Sequence, residues 1–178
     1  MSDVQYIKVT LTREQEIEAH RIGFKRAQYD YWQADSPKRF DTRLNFHDFT
    51  TQQAESVASE MAVAKFLKIE DFQPDNQNYK DSADVGSNIE VKYTKWWDGH
   101  LIIYPYDRED DVAVLVIAKS PCYHLVGWIP IKQAKFRQNY VAAQNTWWVT
   151  QKRLNPMKDL AGEYLWTCFA LSAEYAKR

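Results

Sequence analysis

The chain has 178 residues, a formal net charge of −1 and an apolar content of 45%, which suit a single globular domain with its own core. It has no apolar run of about 18 residues, so no membrane-spanning helix is expected, and its near-neutral charge differs from that of a strongly basic nucleic-acid binder. The N-terminus has no secretory-signal pattern, and Cys122 and Cys168 fit no metal-ligand spacing. We therefore expect a cytoplasmic protein with free thiols.

The first part of the sequence predicts one strand and two helices. Thr12 and Gln15 have the spacing of a capping box at the start of a helix. An alanine-rich segment without glycine or proline predicts the second helix. In chain order we predict a strand over 6–11, a helix over 12–29, a loop over 30–48, a helix over 50–67 and a loop over 74–82.

The second part of the sequence predicts a sheet. Runs rich in β-branched and aromatic residues predict strands over 89–94, 101–104, 112–118, 123–128 and 146–150. Asp98-Gly99 has the chemistry of a hairpin turn, so we expect the first two of these strands to pair. Pro130 suits the first turn of a short helix that ends near Gln138, and Asn155-Pro156 predicts the start of a terminal helix.

This order of elements predicts one α/β (α+β) domain over residues 1–178. A mixed central sheet of about four to five strands would be flanked by helices. We expect the core to span about 50–160, with the N-terminal strand and helix over 6–30 packed on it.

The segment 81–95 carries the residues that point to chemistry. Side chains alternate along a strand, so Glu90 and Lys92 share the face of the 89–94 strand opposite to its apolar residues. Asp84 stands before a glycine-containing turn, and a hairpin-like return would bring its carboxylate beside that of Glu90. The sequence therefore predicts two carboxylates and one lysine at a common site.

Two carboxylates and a lysine are the groups that hydrolysis of a phosphodiester needs. Carboxylate oxygens hold Mg²⁺, or Mn²⁺ in its place, and the metal neutralises the phosphate and acidifies the attacking water. We expect Asp84 and Glu90 to hold the metal together with the backbone carbonyl of Val91, and Lys92 to position the attacking water. The alternative for Glu90 and Lys92 is a surface ion pair of an amphipathic strand.

Glu60 projects from the flank of the second predicted helix, next to its apolar face. A carboxylate at such a position is costly to desolvate unless a cation pairs with it. We therefore expect Glu60 to be either a third acidic metal ligand or a member of a structural salt bridge, with Lys92 as a candidate partner.

Together these residues resemble the PD-(D/E)xK nuclease superfamily, of the restriction-endonuclease-like fold, in its small phage and prokaryotic members. The matching segments are ASEMAVAKFL at 58–67, ADVG at 83–86 and IEVKYT at 89–94. The resemblance covers about 57–160, although Ala83 stands where the family has proline. It maps the family's helix glutamate, metal aspartate, second acidic ligand and lysine onto Glu60, Asp84, Glu90 and Lys92. It implies a mixed four-stranded core sheet, Mg²⁺ dependence and cleavage of DNA.

The predicted function is thus a Mg²⁺-dependent deoxyribonuclease, an endonuclease or exonuclease, in a prokaryotic or phage-infected cell. Duplex cutters of this fold often pair two sites, which makes a homodimer a candidate assembly. The alternative is a non-catalytic phage or prokaryotic structural or partner-binding module that retains the fold, and an enzyme on RNA or branched DNA is a third option. The residues expected to contact substrate are Lys95, Trp96, His100, Lys152 and Arg153; packing within the fold is the alternative for the aromatic ones.

Overall fold

The computed structural model of the protein describes residues 5–30, 44–75 and 82–162. Its helices and strands are β1 (Ile7–Thr10), α1 (Arg13–Asp30), α2 (Phe46–Phe66), β2 (Ile89–Thr94), β3 (Leu101–Ile103), β4 (Val112–Lys119), β5 (Cys122–Pro130), α3 (Ile131–Ala134), β6 (Tyr140–Val141) and β7 (Thr146–Val149). Short 3₁₀ turns lie before β6 at Arg137–Asn139, before β7 at Ala142–Gln144 and after β7 at Gln151–Arg153, and residues 157–162 are helical.

The central sheet has four strands in the order β1-β5-β4-β2. Strands β2 and β4 are parallel, with Glu90 opposite Ala113 and Lys92 opposite Leu115, whereas β5 is antiparallel to both of its neighbours. A second sheet has the order β3-β7-β6. The predicted class, an α/β fold with a mixed central sheet flanked by helices, is confirmed.

The central sheet is covered on both faces, and the alternation of side chains along β4 shows how. Val114 and Val116 pack in the cluster that contains the buried residues of α1 and α2. Leu115 and Ile117 pack in the opposite cluster, with residues of β3, β7 and α3. Because β4 is buried on both faces, its sequence is a nearly continuous apolar run.

The helices begin where side chains satisfy their free backbone N–H groups. At α1, Thr12 N–H donates to Gln15 Oε1 at 2.9 Å and Gln15 N–H donates to Thr12 Oγ1 at 3.2 Å, so the predicted capping box is confirmed. Helix α2 begins before the predicted residue 50, because Asn45 caps it by accepting from Asp48 N–H at 3.0 Å. The predicted loop over 30–48 is therefore too long at its C-terminal end, because residues 46–48 belong to α2. Its part over 31–43 lies outside the described residues.

The predicted hairpin across Asp98-Gly99 is wrong. Strand β2 pairs with β4 in the central sheet, and β3 pairs with β7 in the second sheet. Gly99 instead permits a close approach, because a Cβ there would lie 2.5 Å from Thr94 Oγ1. The turn thus carries the chain out of one sheet and into another.

Other predicted bounds also need correction. Helix α3 ends at Ala134 rather than near Gln138, and the two-residue strand β6 was not predicted. Helical residues begin at Met157, and the continuation of the predicted terminal helix over 163–178 lies outside the described residues, as do Cys168 and most of the 74–82 loop. Within the described residues, no helix combines the length and the hydropathy that a membrane crossing requires.

Candidate active site on strand β2

A tight turn places Asp84 against strand β2. Val85 and Ile89 form an antiparallel bridge, with hydrogen bonds of 3.0 and 3.2 Å between their backbones. Gly86 in this turn has a φ of 62°, a conformation that glycine adopts without steric cost. Asp84 Oδ2 accepts a hydrogen bond of 2.7 Å from the backbone N–H of Val91. The predicted hairpin-like return of Asp84 towards the strand is therefore present.

Lys92 lies between two carboxylates. Its Nζ donates to Glu90 Oε1 at 2.6 Å and to Asp107 Oδ1 at 3.0 Å. Asp107 is buried, and its other oxygen accepts from the backbone N–H of Tyr104 at 2.8 Å. The ammonium group is thus held by charge on two sides.

Sequence reasoning missed Asp107 as a site residue and assigned it to a turn. It begins the segment that leads into β4, the strand that pairs with β2. A half-buried lysine needs a counterion, and an acidic residue next to the neighbouring strand is the signal that could have identified Asp107.

The charge state of Lys92 follows from these contacts. Burial alone opposes the charged form, but the carboxylates of Glu90 and Asp107 outweigh it and raise the pKa of Lys92 above its usual range. Lys92 therefore stays protonated at neutral pH. In this state it is a donor of hydrogen bonds and of positive charge.

Glu60 is buried and forms an ion pair with Arg26 of α1. Its two carboxylate oxygens accept from the guanidinium at 2.7 and 2.9 Å. Arg26 also donates from Nε to the backbone carbonyl of Asp75 at 2.8 Å. The expected salt bridge of Glu60 is therefore present, but its partner is Arg26 and the candidate partner Lys92 was wrong.

The acidic residues at this site influence one another. Burial, and then the charges of Glu60 and Glu90, raise the pKa of Asp84 well above its usual range, although the Val91 N–H and Lys92 oppose this. Burial raises the pKa of Glu60, which Arg26 opposes and the charge of Glu90 increases further. Glu60, Asp84 and Glu90 therefore lie close enough for the charge of each to affect the others, and the three carboxylates add negative charge to one site.

Within the described parts of the chain, His, Cys, Asp and Glu side chains nowhere form a group of three or more that could hold a metal ion. Mg²⁺, however, usually binds through one or two carboxylates and keeps several waters. Asp84 and Glu90 offer two such carboxylates, and the charge of Glu90, after burial and the charge of Glu60, is one of the causes that raise the pKa of Asp84. Carboxylate oxygens are the type of donor that Mg²⁺ or Mn²⁺ binds. The carbonyl of Val91 as a further ligand stays a prediction.

The residues predicted to contact substrate lie in the loop after β2 and in the turn after β7. Lys95 pairs with Glu55 at 3.0 Å, Trp96 is 72% exposed, and His100 lies against Trp148 with ring centroids 5.6 Å apart. Lys152 is exposed. Arg153 donates to Asn139 Oδ1 at 2.6 Å.

One side chain joins this loop and this turn. Gln151 Nε2 donates to the carbonyl oxygens of Trp97 at 2.8 Å and of Gly99 at 3.0 Å. The loop after β2 and the turn after β7 are thus joined beyond the end of β2 at Thr94, although Lys95 pairs with Glu55 of α2 and Arg153 with Asn139. Contact with a substrate stays a prediction for all of the residues expected to make it.

Comparisons of the chain with protein-family models, with curated proteins and with solved structures give no match. The resemblance to PD-(D/E)xK nucleases therefore depends on the residues themselves. These are the acidic pair Asp84 and Glu90, Lys92 beside them, and the helix glutamate Glu60 in the same electrostatic environment.

Proposed function

We propose that the protein is a Mg²⁺-dependent nuclease of the PD-(D/E)xK type that hydrolyses DNA phosphodiester bonds. The observation that carries the proposal is the 2.7 Å hydrogen bond between the Val91 N–H and Asp84, which fixes this carboxylate against the strand that bears Glu90 and Lys92. Two carboxylates and a protonated lysine in one environment match the needs of phosphodiester hydrolysis.

Each residue has a distinct role in this proposal. Asp84 and Glu90 would hold Mg²⁺ or Mn²⁺, which when bound neutralises the phosphate and makes an attacking water more acidic. Lys92 keeps its proton, so it orients the water and stabilises the charge that develops on the phosphate. Asp107 is the second carboxylate that holds the ammonium of Lys92, besides Glu90.

Glu60 has a supporting role in this proposal. Both of its oxygens are engaged by Arg26, so direct ligation of a metal would require it to give up charge-assisted hydrogen bonds. Its negative charge still acts on Asp84. We therefore assign Glu60 to the electrostatic environment of the metal.

DNA is the proposed partner, and the proposed location is the cytoplasm of a prokaryotic or phage-infected cell. A homodimer would bring one site to each strand of a duplex. Sedimentation of the protein with and without a duplex oligonucleotide would measure this assembly.

The test is cleavage of supercoiled plasmid and of labelled oligonucleotides in Mg²⁺, with a chelator as the blank. Glu90→Gln should abolish cleavage, and Lys92→Met should lower kcat by about 10²- to 10³-fold because a transition-state donor is lost. Glu70→Gln, at an exposed glutamate after α2, is the matched control and should cleave like the wild type. Unchanged cleavage by either site variant, with an unchanged circular dichroism spectrum, would refute the assignment.

A non-catalytic binding module is the second candidate. The ion pairs Arg26–Glu60 and Lys92–Glu90 partly neutralise the site from within, which favours it. Calorimetry separates the two functions, because a nuclease of this type binds Mg²⁺ or Mn²⁺ at Asp84 and Glu90. Folded wild-type protein that binds neither cation would support the module.

A further inference from the structure

Positive charge is concentrated in one part of the chain. Residues 112–158 contain seven of the 23 lysines and arginines and none of the 24 aspartates and glutamates. The rest of the chain therefore carries the excess of acidic groups, although the net charge of the whole chain is only −1. A near-neutral protein with its charges segregated in this way attracts a polyanion to one part of its surface.

Three short elements of this segment carry exposed cations. Lys132 lies in α3, Arg137 in the 3₁₀ turn before β6 and Lys152 in the 3₁₀ turn after β7. We call these three residues the basic surface. Among the residues that the structure describes, no carboxylate forms an ion pair with any of them, whereas the exposed Arg21 of α1 pairs with Glu18. Within this part of the protein, the charge of the basic surface is thus left for an anionic ligand.

One buried side chain holds the three elements together. The Nδ2 of Asn139 donates to the backbone carbonyl of Ala134 in α3 at 2.8 Å, and its Oδ1 accepts from Arg153 Nη1 at 2.6 Å. Asn139 ends the turn that begins with Arg137, and Arg153 belongs to the same turn as Lys152. The elements of the basic surface are therefore fixed relative to one another before a ligand binds, which lowers the entropic cost of binding.

The elements of the basic surface pack on the side of the central sheet that carries the candidate site. Lys92 of β2 lies opposite Leu115 of β4, so the two side chains share one face of the sheet. Leu115 packs on that face with residues of α3 and β7. Lys135, directly after α3, also donates to the backbone carbonyl of Asp107 at 2.7 Å, and the carboxylate of Asp107 holds Lys92. The elements that carry the three cations thus adjoin the loop that positions Lys92.

We propose that the basic surface binds the sugar-phosphate backbone of DNA outside the cleaved bond, so that the substrate is a polynucleotide that extends beyond the candidate site. This inference rests on the proposed function, because it takes DNA as the partner. Cations on three separate elements suit a ligand whose negative charge repeats along a chain. Contacts of lysine and arginine with phosphates give affinity without selecting a sequence, and they weaken with salt because binding releases counterions.

Fluorescence anisotropy of dye-labelled DNA, in a chelator that prevents cleavage, tests this surface separately from catalysis. The test variant is Lys132→Gln/Arg137→Gln/Lys152→Gln, which removes three positive charges. It keeps Arg153, because the hydrogen bond of this residue to Asn139 holds two of the elements together. An unchanged circular dichroism spectrum shows that the variant folds.

The matched control is Lys8→Gln/Lys25→Gln/Lys68→Gln, which removes the same charge at exposed positions outside residues 112–158. The test variant should bind DNA about 10- to 100-fold more weakly than the control, and its slope of log affinity against log salt should be smaller by about 2–3. The loss should be the same for two oligonucleotides of unrelated sequence. In Mg²⁺, the KM for cleavage should rise by a similar factor while kcat stays near that of the control.

The possible outcomes separate this inference from the proposed function. Equal affinity and salt dependence in the two triple variants, no binding of DNA by the wild type, a loss that differs between the two sequences, or a lower kcat with unchanged KM would each overturn the role of the basic surface. Weaker and less salt-dependent binding by the test variant, together with no Mg²⁺-dependent cleavage by the wild type, would support the surface and remove the proposed nuclease function.

Discussion

Replacement of Arg26 by methionine should strongly destabilise the protein. The side chains of Arg26 and Glu60 are 3% and 2% exposed, and two hydrogen bonds of 2.7 and 2.9 Å join them. Without Arg26, the Glu60 carboxylate would stay buried with no counterion, which costs about 3–5 kcal/mol. Since small domains have about 5–15 kcal/mol of stability, the variant should fold but unfold at a much lower urea concentration.

Urea unfolding followed by far-UV circular dichroism measures this loss. The double variant Arg26→Met/Glu60→Leu should recover most of it, because an apolar pair of similar volume replaces both charges. Arg21→Met, which breaks the exposed pair with Glu18, is the matched control and should not shift the midpoint measurably. A loss in Arg26→Met no larger than in this control would refute the reasoning, as would a double variant no more stable than the single one.

Three further predictions concern the site and the helix packing. Because the folded-state pKa of Asp84 is raised, the folded protein binds more protons than the unfolded chain, and its free energy of unfolding falls as the pH rises above about 4. Asp84→Asn should flatten this pH dependence in urea titrations and should raise the free energy of unfolding at neutral pH without metal. The same variant should abolish cleavage. Asp107→Asn removes one counterion of Lys92 and should lower kcat by about 10- to 100-fold in a cleavage assay, with Mg²⁺ affinity by calorimetry unchanged. Gly23→Ala should lower the free energy of unfolding by about 1–3 kcal/mol in thermal melts, because the added Cβ would lie 2.5 Å from the backbone nitrogen of Ala54. Gly162→Ala is the control and should leave the free energy of unfolding unchanged, because a Cβ there meets no atom within 4 Å.

Local patterns predicted single elements well but predicted their pairing poorly. Strand β2 has the bounds that alternation indicates, and α1 begins beside the residues that cap it. The pairing of β2 with β4 depends on burial of both faces of β4. A short segment of sequence does not show which elements cover those faces. Asp98-Gly99 has hairpin chemistry, but tertiary packing sends the two flanking strands into different sheets.

The same distinction applies to the candidate site. Asp84, Glu90 and Lys92 lie within one tight turn and one strand, so their proximity follows from local geometry. Asp107 and Arg26 reach their partners across 15 and 34 residues of sequence. Both were missed because such contacts depend on how β4 and α1 pack, and each was needed as the counterion of a buried charge.

The pH dependence of Mg²⁺ binding distinguishes a metal centre at this site from a set of structural ion pairs, because of the balance of charged groups around Asp84. The carboxylates of Glu60, Asp84, Glu90 and Asp107 share the cations Arg26 and Lys92. Burial, and then the charges of Glu60 and Glu90, raise the pKa of Asp84, so this carboxyl group binds a proton more readily than an unfolded aspartate does. Mg²⁺ bound at Asp84 competes with that proton.

Affinity for Mg²⁺ should consequently rise with pH up to the raised pKa of Asp84 and then level off. The heat of binding should depend on the ionisation enthalpy of the buffer, because the buffer takes up the released proton. Asp84→Asn should remove both dependences, whereas Glu70→Gln should keep them. An affinity for Mg²⁺ that does not change with pH anywhere in the range in which the wild type is folded would mean that the cation is held elsewhere and that Asp84 serves the fold alone.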